Sequence, residues 1–165
     1  LPQHTYIEGM NDSKKLTAKK REELYEIIRQ KAVSIGIGKV SAAEIDKINI
    51  RQAARLAMKM AVEALEVEPE YILVDAETIE CPFPQLAIIK GDSLSQSIAA
   101  ASIIAKVTRD RMCLEWDRKY PQYGIADHKG YATKRHREAI IQYGPSPLHR
   151  KSFLKNTLVV QEELF

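Results

Sequence analysis

Two aspartates stand where short apolar runs stop. Asp75 closes Tyr71-Ile72-Leu73-Val74, and Asp92 follows Leu86-Ala87-Ile88-Ile89-Lys90 by way of Gly91. Ligands of open α/β sheets bind outside the carboxyl ends of strands. Two strand-end carboxylates can therefore meet at one metal site. Oxygen ligands of this kind suit Mg²⁺ or Mn²⁺, ions that leave coordination positions for substrate phosphates. Two readings stand for Asp92, which after Gly91 and before Ser93 can equally be a turn or helix cap. Asp75 has no such second reading, since an aspartate has no propensity reason to end an Ile-Leu-Val strand.

Two further segments carry groups suited to phosphate and nucleic acid. Asn11-Asp12-Ser13-Lys14-Lys15-Leu16 sets small polar groups and two lysines before a helix. Backbone N–H groups, a hydroxyl and ammonium groups there can hold a phosphate, and a solvated turn would have the same composition. The segment lacks the glycines of a phosphate-binding P-loop. In His128-Lys129-Gly130-Tyr131, the tyrosine can stack on a base or sugar while the lysine meets phosphate; it can also pack a loop onto the core. No G-x-S-x-G elbow, H-E-x-x-H pair, His/Cys cluster or G-x-G-x-x-G run occurs, so serine hydrolase, zinc and dinucleotide chemistry have no sequence support.

The elements that must position these residues alternate between strands and helices, which points to an α/β fold. Thr17 is placed to cap a helix from about Ala18 to Ala32. Val33 to Val40 alternates Val33, Ile35 and Ile37 with small residues and reads as a strand closely packed on one face. Ser41-Ala42-Ala43-Glu44 is a capping box, and Asn49 is placed to cap a helix to about Leu65. That helix carries Ala54, Ala57, Ala61 and Leu65 on one side, suited to close packing on a sheet. Two buried strands follow, Tyr71–Asp75 and Leu86–Lys90, separated by a proline-bearing loop. A long helix from about Gln96 to Tyr120 begins with an apolar half that must be buried. Thr133 is placed to cap a last helix ending at Gly144.

The 165 residues suffice for one domain with a hydrophobic core. We expect a single domain over residues 1–153 and a tail over 154–165, with no linker or repeat. No apolar run reaches the ~20 residues that cross a bilayer. The start shows no basic region followed by an apolar one, and Cys81 and Cys113 read as reduced thiols, so the expected compartment is the cytoplasm. Net charge is +3. Its basic residues gather at Lys14–Arg21, at Lys129–Arg137 and at Arg150-Lys151; Lys19, Lys20 and Arg21 read as solvated helix surface, and the charge fits a protein that touches phosphate with one face.

Taken together, the segments resemble ribonuclease HII. The matching runs are N-D-S-K-K-L (Asn11 to Leu16), V-D-A (Val74 to Ala76), K-G-D-S (Lys90 to Ser93) and S-I-A-A-A-S-I-I-A-K-V-T-R-D (Ser97 to Asp110). Y-P-Q-Y-G (Tyr120 to Gly124), H-K-G-Y-A-T (His128 to Thr133) and P-S-P-L-H-R-K-S-F (Pro145 to Phe153) complete them in the family's order. The resemblance implies an RNase H-like mixed sheet flanked by helices. It implies cleavage of RNA in RNA–DNA hybrids, and at ribonucleotides embedded in duplex DNA, by two divalent ions ~4 Å apart, leaving a 5′-phosphate. By it, Asp75 and Asp92 are two of four catalytic, metal-binding carboxylates. Tyr131 stacks beside the ribonucleotide sugar, and Ser13, Lys14, Lys15 and Lys129 serve nucleic-acid binding.

One departure bears on activity. The family's D-E-A-G-R-G or D-E-V-G-R-G strand, source of the other two carboxylates, has no counterpart here. Without the family's N-terminal strands the sequence reads as a fragment of a longer protein, with activity tied to the missing strand. The alternative is a chain that grips nucleic acid without cutting it. The end, Gln161-Glu162-Glu163-Leu164-Phe165, is similar to the short motif by which bacterial replication proteins bind the sliding clamp, with Gln161, Leu164 and Phe165 as contacts.

Overall fold

The computed structural model describes residues 1–155. They form α1 (Ala18–Lys31), α2 (Ala42–Ile48), α3 (Ile50–Glu63), β1 (Ile72–Asp75), β2 (Gln85–Ile88), α4 (Gly91–Leu94), α5 (Gln96–Lys119), α6 (Ile125–His128) and α7 (Lys134–Tyr143). Short 3₁₀ turns cover Pro121–Tyr123 and Lys151–Phe153. The chain packs as two compact units. One holds residues 1–39 and 54–108, the other, among the described residues, 40–53 and 109–155, so the divisions at 53/54 and 108/109 fall inside α3 and α5.

Local chemistry explains where the helices start. The side chains of Thr17, Ser41 and Thr133 accept from the N–H groups of Lys20, Glu44 and His136, three residues into α1, α2 and α7. Asn49 accepts from both Arg51 and Gln52 at the start of α3. Each cap satisfies donors that the first helical turn leaves without partners.

In the first unit, Leu24, Tyr25 and Ile28 of α1 bury against Ala100, Ile103, Ile104 and Val107 of α5, with Ile7 closing the cluster. The apolar half of α5 thus supplies the core, as its composition predicts. β1 and β2 pair in parallel, with Ile72 opposite Gln85 and Asp75 opposite Ile88. Gln85 stitches the connection between them: its side chain accepts from Ile79 N–H and donates to Ile79 C=O, at 2.9 and 2.8 Å.

Two predicted features differ from the structure. Val33–Val40 belongs to no strand. Its small residues instead admit the backbone of α3: a Cβ on Gly36 would lie 1.9 Å from the carbonyl oxygen of Ala61, and one on Gly38 1.8 Å from that of Ala57. The alanines of α3 therefore pack closely on this segment rather than on a sheet. The second run is also not a buried strand. In β2, Leu86 is exposed, as is Ile89 just beyond it. Successive strand residues face opposite ways, and in this two-stranded sheet only Val74 of β1 is fully buried.

The second unit closes around Cys113, Tyr123, Ile125, Ala139, Ile140 and Leu154, with Trp116, Tyr120 and Leu148 packed on them. Asp46 of α2 fastens the segment after α7. Its carboxylate accepts from the N–H groups of Lys151 (2.7 Å) and Ser152 (3.0 Å) and from the Ser152 hydroxyl. These bonds, that of the Ser152 side chain foremost, hold its pKa below the ordinary carboxylate value.

Candidate active site

Parallel pairing brings the ends of β1 and β2 to the same edge of the sheet, with Asp75 at the end of β1 and the turn carrying Asp92 after β2. A hydrogen bond joins them: Gly91 N–H donates to Asp75 Oδ1 at 2.8 Å. Gly91 is buried, and a Cβ there would come 2.4 Å from Ile98 Cδ1 and 3.4 Å from Asp75 Oδ1. A side chain at position 91 would thus press into the space between the aspartate and α5. The bond occupies Oδ1 of Asp75, a residue that is otherwise exposed. Among the described residues neither Asp75 nor Asp92 forms an ion pair, and Asp92 has only a weak contact, 3.4 Å, from the Ser93 hydroxyl. Two unpaired carboxylates at one sheet edge are a hard-oxygen donor set of the kind Mg²⁺ and Mn²⁺ take. Among the described residues no group of three or more His, Cys, Asp or Glu side chains forms a fuller metal cage.

The backbone around these residues is unusual. Of the five non-glycine residues with positive φ among those described, Ala76 follows Asp75, Lys90 precedes Gly91-Asp92, and Lys129 precedes Gly130-Tyr131. Left-handed backbone at such residues costs free energy and gathers at functional sites.

The Asn11–Leu16 segment is a built turn. Asp12 accepts from Lys14 N–H through its side chain and from Lys15 N–H through its carbonyl, both at 2.9 Å. Arg21 of α1 reaches back to the carbonyls of Ser13 (2.9 Å) and Leu16 (2.6 Å). This leaves Lys14 and Lys15 exposed, while Ser13 is only 8% exposed.

In the second unit the Tyr131 ring is 71% exposed, which removes the core-packing reading. Arg109 of α5 donates to the carbonyl of Lys129 at 3.4 Å. A group the sequence did not single out lies beneath: His128 of α6, His136 of α7 and His149. The rings of His128 and His136 stack at 4.1 Å, and Nε2 of His136 and His149 lie 3.0 Å apart. Burial first, then the neighbouring imidazoles, hold His149 below the ordinary value; burial first does the same for His136. His128 and His149 sit in two of the recognised runs and His136 in none, and no regular spacing links the three.

One unit thus places Asp75 at the end of β1 and Asp92 in α4 just beyond β2, and the other unit exposes Tyr131 beside Lys129. A sequence model of ribonuclease HII matches residues 6–156. The ribonuclease HII of Alkaliphilus metalliredigens (strain QYMF) is 61% identical over 164 residues, covering 96% of this chain and 80% of that protein. That of Geobacillus kaustophilus (strain HTA426) is 56% identical over 166 residues, covering 99% of this chain and 64% of that protein. The crystal structure of ribonuclease H2 from Pyrococcus horikoshii OT3 superposes with a TM-score of 0.75 at 28% identity, covering 94% of this chain and 81% of the other. The chain belongs to the ribonuclease HII family, and its fold is of the RNase H-like α/β class.

Proposed function

We propose that this chain carries half of the carboxylates of an endoribonuclease that cuts the RNA strand of RNA–DNA hybrids and cuts at single ribonucleotides in duplex DNA. The observation that supports it most is the bond from Gly91 N–H to Asp75, which sets the turn of Asp92 against the end of β1. Asp75 and Asp92 hold Mg²⁺ or Mn²⁺ in this reading. Bound divalent ions supply an activated water and stabilise the leaving 3′-oxygen. The chain's own groups do the rest: Gly91 orients Asp75, the turn of Ser13, Lys14 and Lys15 grips phosphate, and Lys129 and Tyr131 engage the duplex beside the ribonucleotide.

The test is cleavage of a DNA duplex holding one ribonucleotide, with Mg²⁺ or Mn²⁺, by this chain alone and by this chain preceded by a D-E-x-G-R-G strand. Metal-dependent cutting on the 5′ side of the ribonucleotide, with a 5′-phosphate on the product, is expected once four carboxylates are present. Binding that falls steeply with salt and yields no product with either chain would instead mark a non-catalytic nucleic-acid binder.

Among the described residues no helix is long and apolar enough to cross a membrane, and we place the work in the cytoplasm, in DNA replication and repair. Gln161, Leu164 and Phe165 lie outside the described residues; their motif supports a sliding clamp as partner. Pull-down with a bacterial clamp should be lost on changing Leu164→Ala together with Phe165→Ala. Equal capture of both forms removes the clamp.

A further inference from the structure

The neighbourhood of Tyr131 is fixed by a chain of hydrogen bonds in which each link dictates the next. Nδ1 of His149 faces the backbone N–H of Ser146 at 3.0 Å and the Ser146 hydroxyl at 2.8 Å. A backbone N–H can only donate, so this nitrogen must be unprotonated. The neutral His149 ring then carries its proton on Nε2, which points at Nε2 of His136, 3.0 Å away. That nitrogen must accept, so His136 carries its proton on Nδ1, which donates to the carbonyl of Tyr131 at 2.9 Å. A parallel link acts one residue earlier. His128 Nδ1 accepts from Gly130 N–H at 3.2 Å, and its Nε2 donates to the carbonyl of Tyr123 at 2.8 Å. The backbone on both sides of an exposed ring is thus held by buried imidazoles of fixed tautomer.

We propose that His136 and His149 are positioning residues that hold Tyr131 for nucleic acid through this relay. The inference rests on the proposed role of Tyr131 as a duplex contact. The relay works only with both rings neutral: a proton on His136 Nε2 or on His149 Nδ1 would set two donors face to face. The groups around it are few and mostly basic. His128 of α6 stacks on His136, and the Tyr123 ring lies 4.9 Å from that of His149. Arg109 of α5 holds the Lys129 carbonyl, Arg150 adjoins His149 in sequence, and Arg135 of α7 pairs with Asp127 of α6 at 2.5 Å. An acidic pH should therefore loosen the Tyr131 loop.

The test uses the full chain. Nitrogen-15 spectra of the imidazoles at neutral pH should show His149 as the Nε2–H tautomer and His136 as the less common Nδ1–H tautomer; finding His136 as Nε2–H overturns the relay. Affinity for an RNA–DNA hybrid duplex is then compared for wild type, His149→Phe, His149→Gln and Tyr131→Ala, with melting curves confirming that each folds. His149→Phe, which cannot donate, should weaken binding about fivefold at neutral pH, the loss of one hydrogen bond. His149→Gln keeps a donor toward His136, can turn its amide to accept if His136 is protonated, and takes no proton. It should bind like wild type at neutral pH and lose less affinity between about pH 7.5 and about pH 5.5, the range in which imidazole titrates. Wild-type affinity and pH profile in both His149 variants, with weakening by Tyr131→Ala, would overturn the relay alone. Wild-type affinity in Tyr131→Ala would overturn the role of Tyr131 and the inference built on it.

Discussion

At the residue scale, Asp75 owes its setting to a hydrogen bond that an amide could keep. Asparagine at position 75 would still accept from Gly91 N–H but would carry no charge for a cation. The substitution therefore separates folding from metal chemistry, where alanine would disturb both. Tyr131 is the complementary case. The residue is mostly exposed, so removing its ring should disturb packing little and report chiefly on the ligand. With the D-E-x-G-R-G strand present, Tyr131→Ala should slow cleavage at a single ribonucleotide by about tenfold, the worth of one base- or sugar-stacking contact. Unchanged steady-state rates on that duplex would return the ring to the solvent.

At the element scale, the close approach of the Val33–Val40 segment to α3 makes Gly36 and Gly38 structural requirements. A Cβ on Gly38 would lie 1.8 Å from the Ala57 oxygen and 2.8 Å from the Ala61 nitrogen, and neither backbone atom can swing away. Gly38→Ala should cost about 2–4 kcal/mol, as overpacking at a rigid contact does. Urea unfolding measures it; a loss below about 0.5 kcal/mol, the range of a surface change, would contradict the contact. The same segment shows where sequence reasoning stops. Thr17, Ser41, Asn49 and Thr133 were readable as caps because a cap is made with the next three residues. Alternation in Val33–Val40 is also local, but whether a segment joins a sheet depends on a partner far along the chain. Asp75 stands out in the sequence because it breaks an apolar run, and the structure places it at the end of β1. The histidine relay was not, because tertiary packing alone joins positions 128, 136 and 149.

At the scale of the whole molecule, the neutral imidazoles tie stability to pH. Both His136 and His149 are lowered in the folded chain from the ordinary 6.5, chiefly by burial. Unfolding lets each ring regain its proton, so the unfolded chain binds more protons below that value, and stability rises with pH there. The contribution is complete above about pH 6.5 and is lost as pH falls through the lowered folded values. Melting temperature should drop on acidification below that point, and less steeply in His149→Gln. Parallel curves for the two proteins would show that these rings do not couple to folding. The modest net charge of +3 leaves phosphate attraction to local clusters rather than to the molecule's overall field.

The site stands or falls on the charge at position 75. Cleavage of a DNA duplex with one ribonucleotide, in Mg²⁺ and by this chain preceded by a D-E-x-G-R-G strand, should be compared for Asp75 and Asp75→Asn. We expect the rate to fall by more than about a hundredfold, beyond the loss usual for an outer-shell partner of a metal. Duplex affinity should stay within about threefold, well under 1 kcal/mol. A variant that cuts at a near-normal rate would remove Asp75 from the metal site, and with it the assignment built on the end of β1.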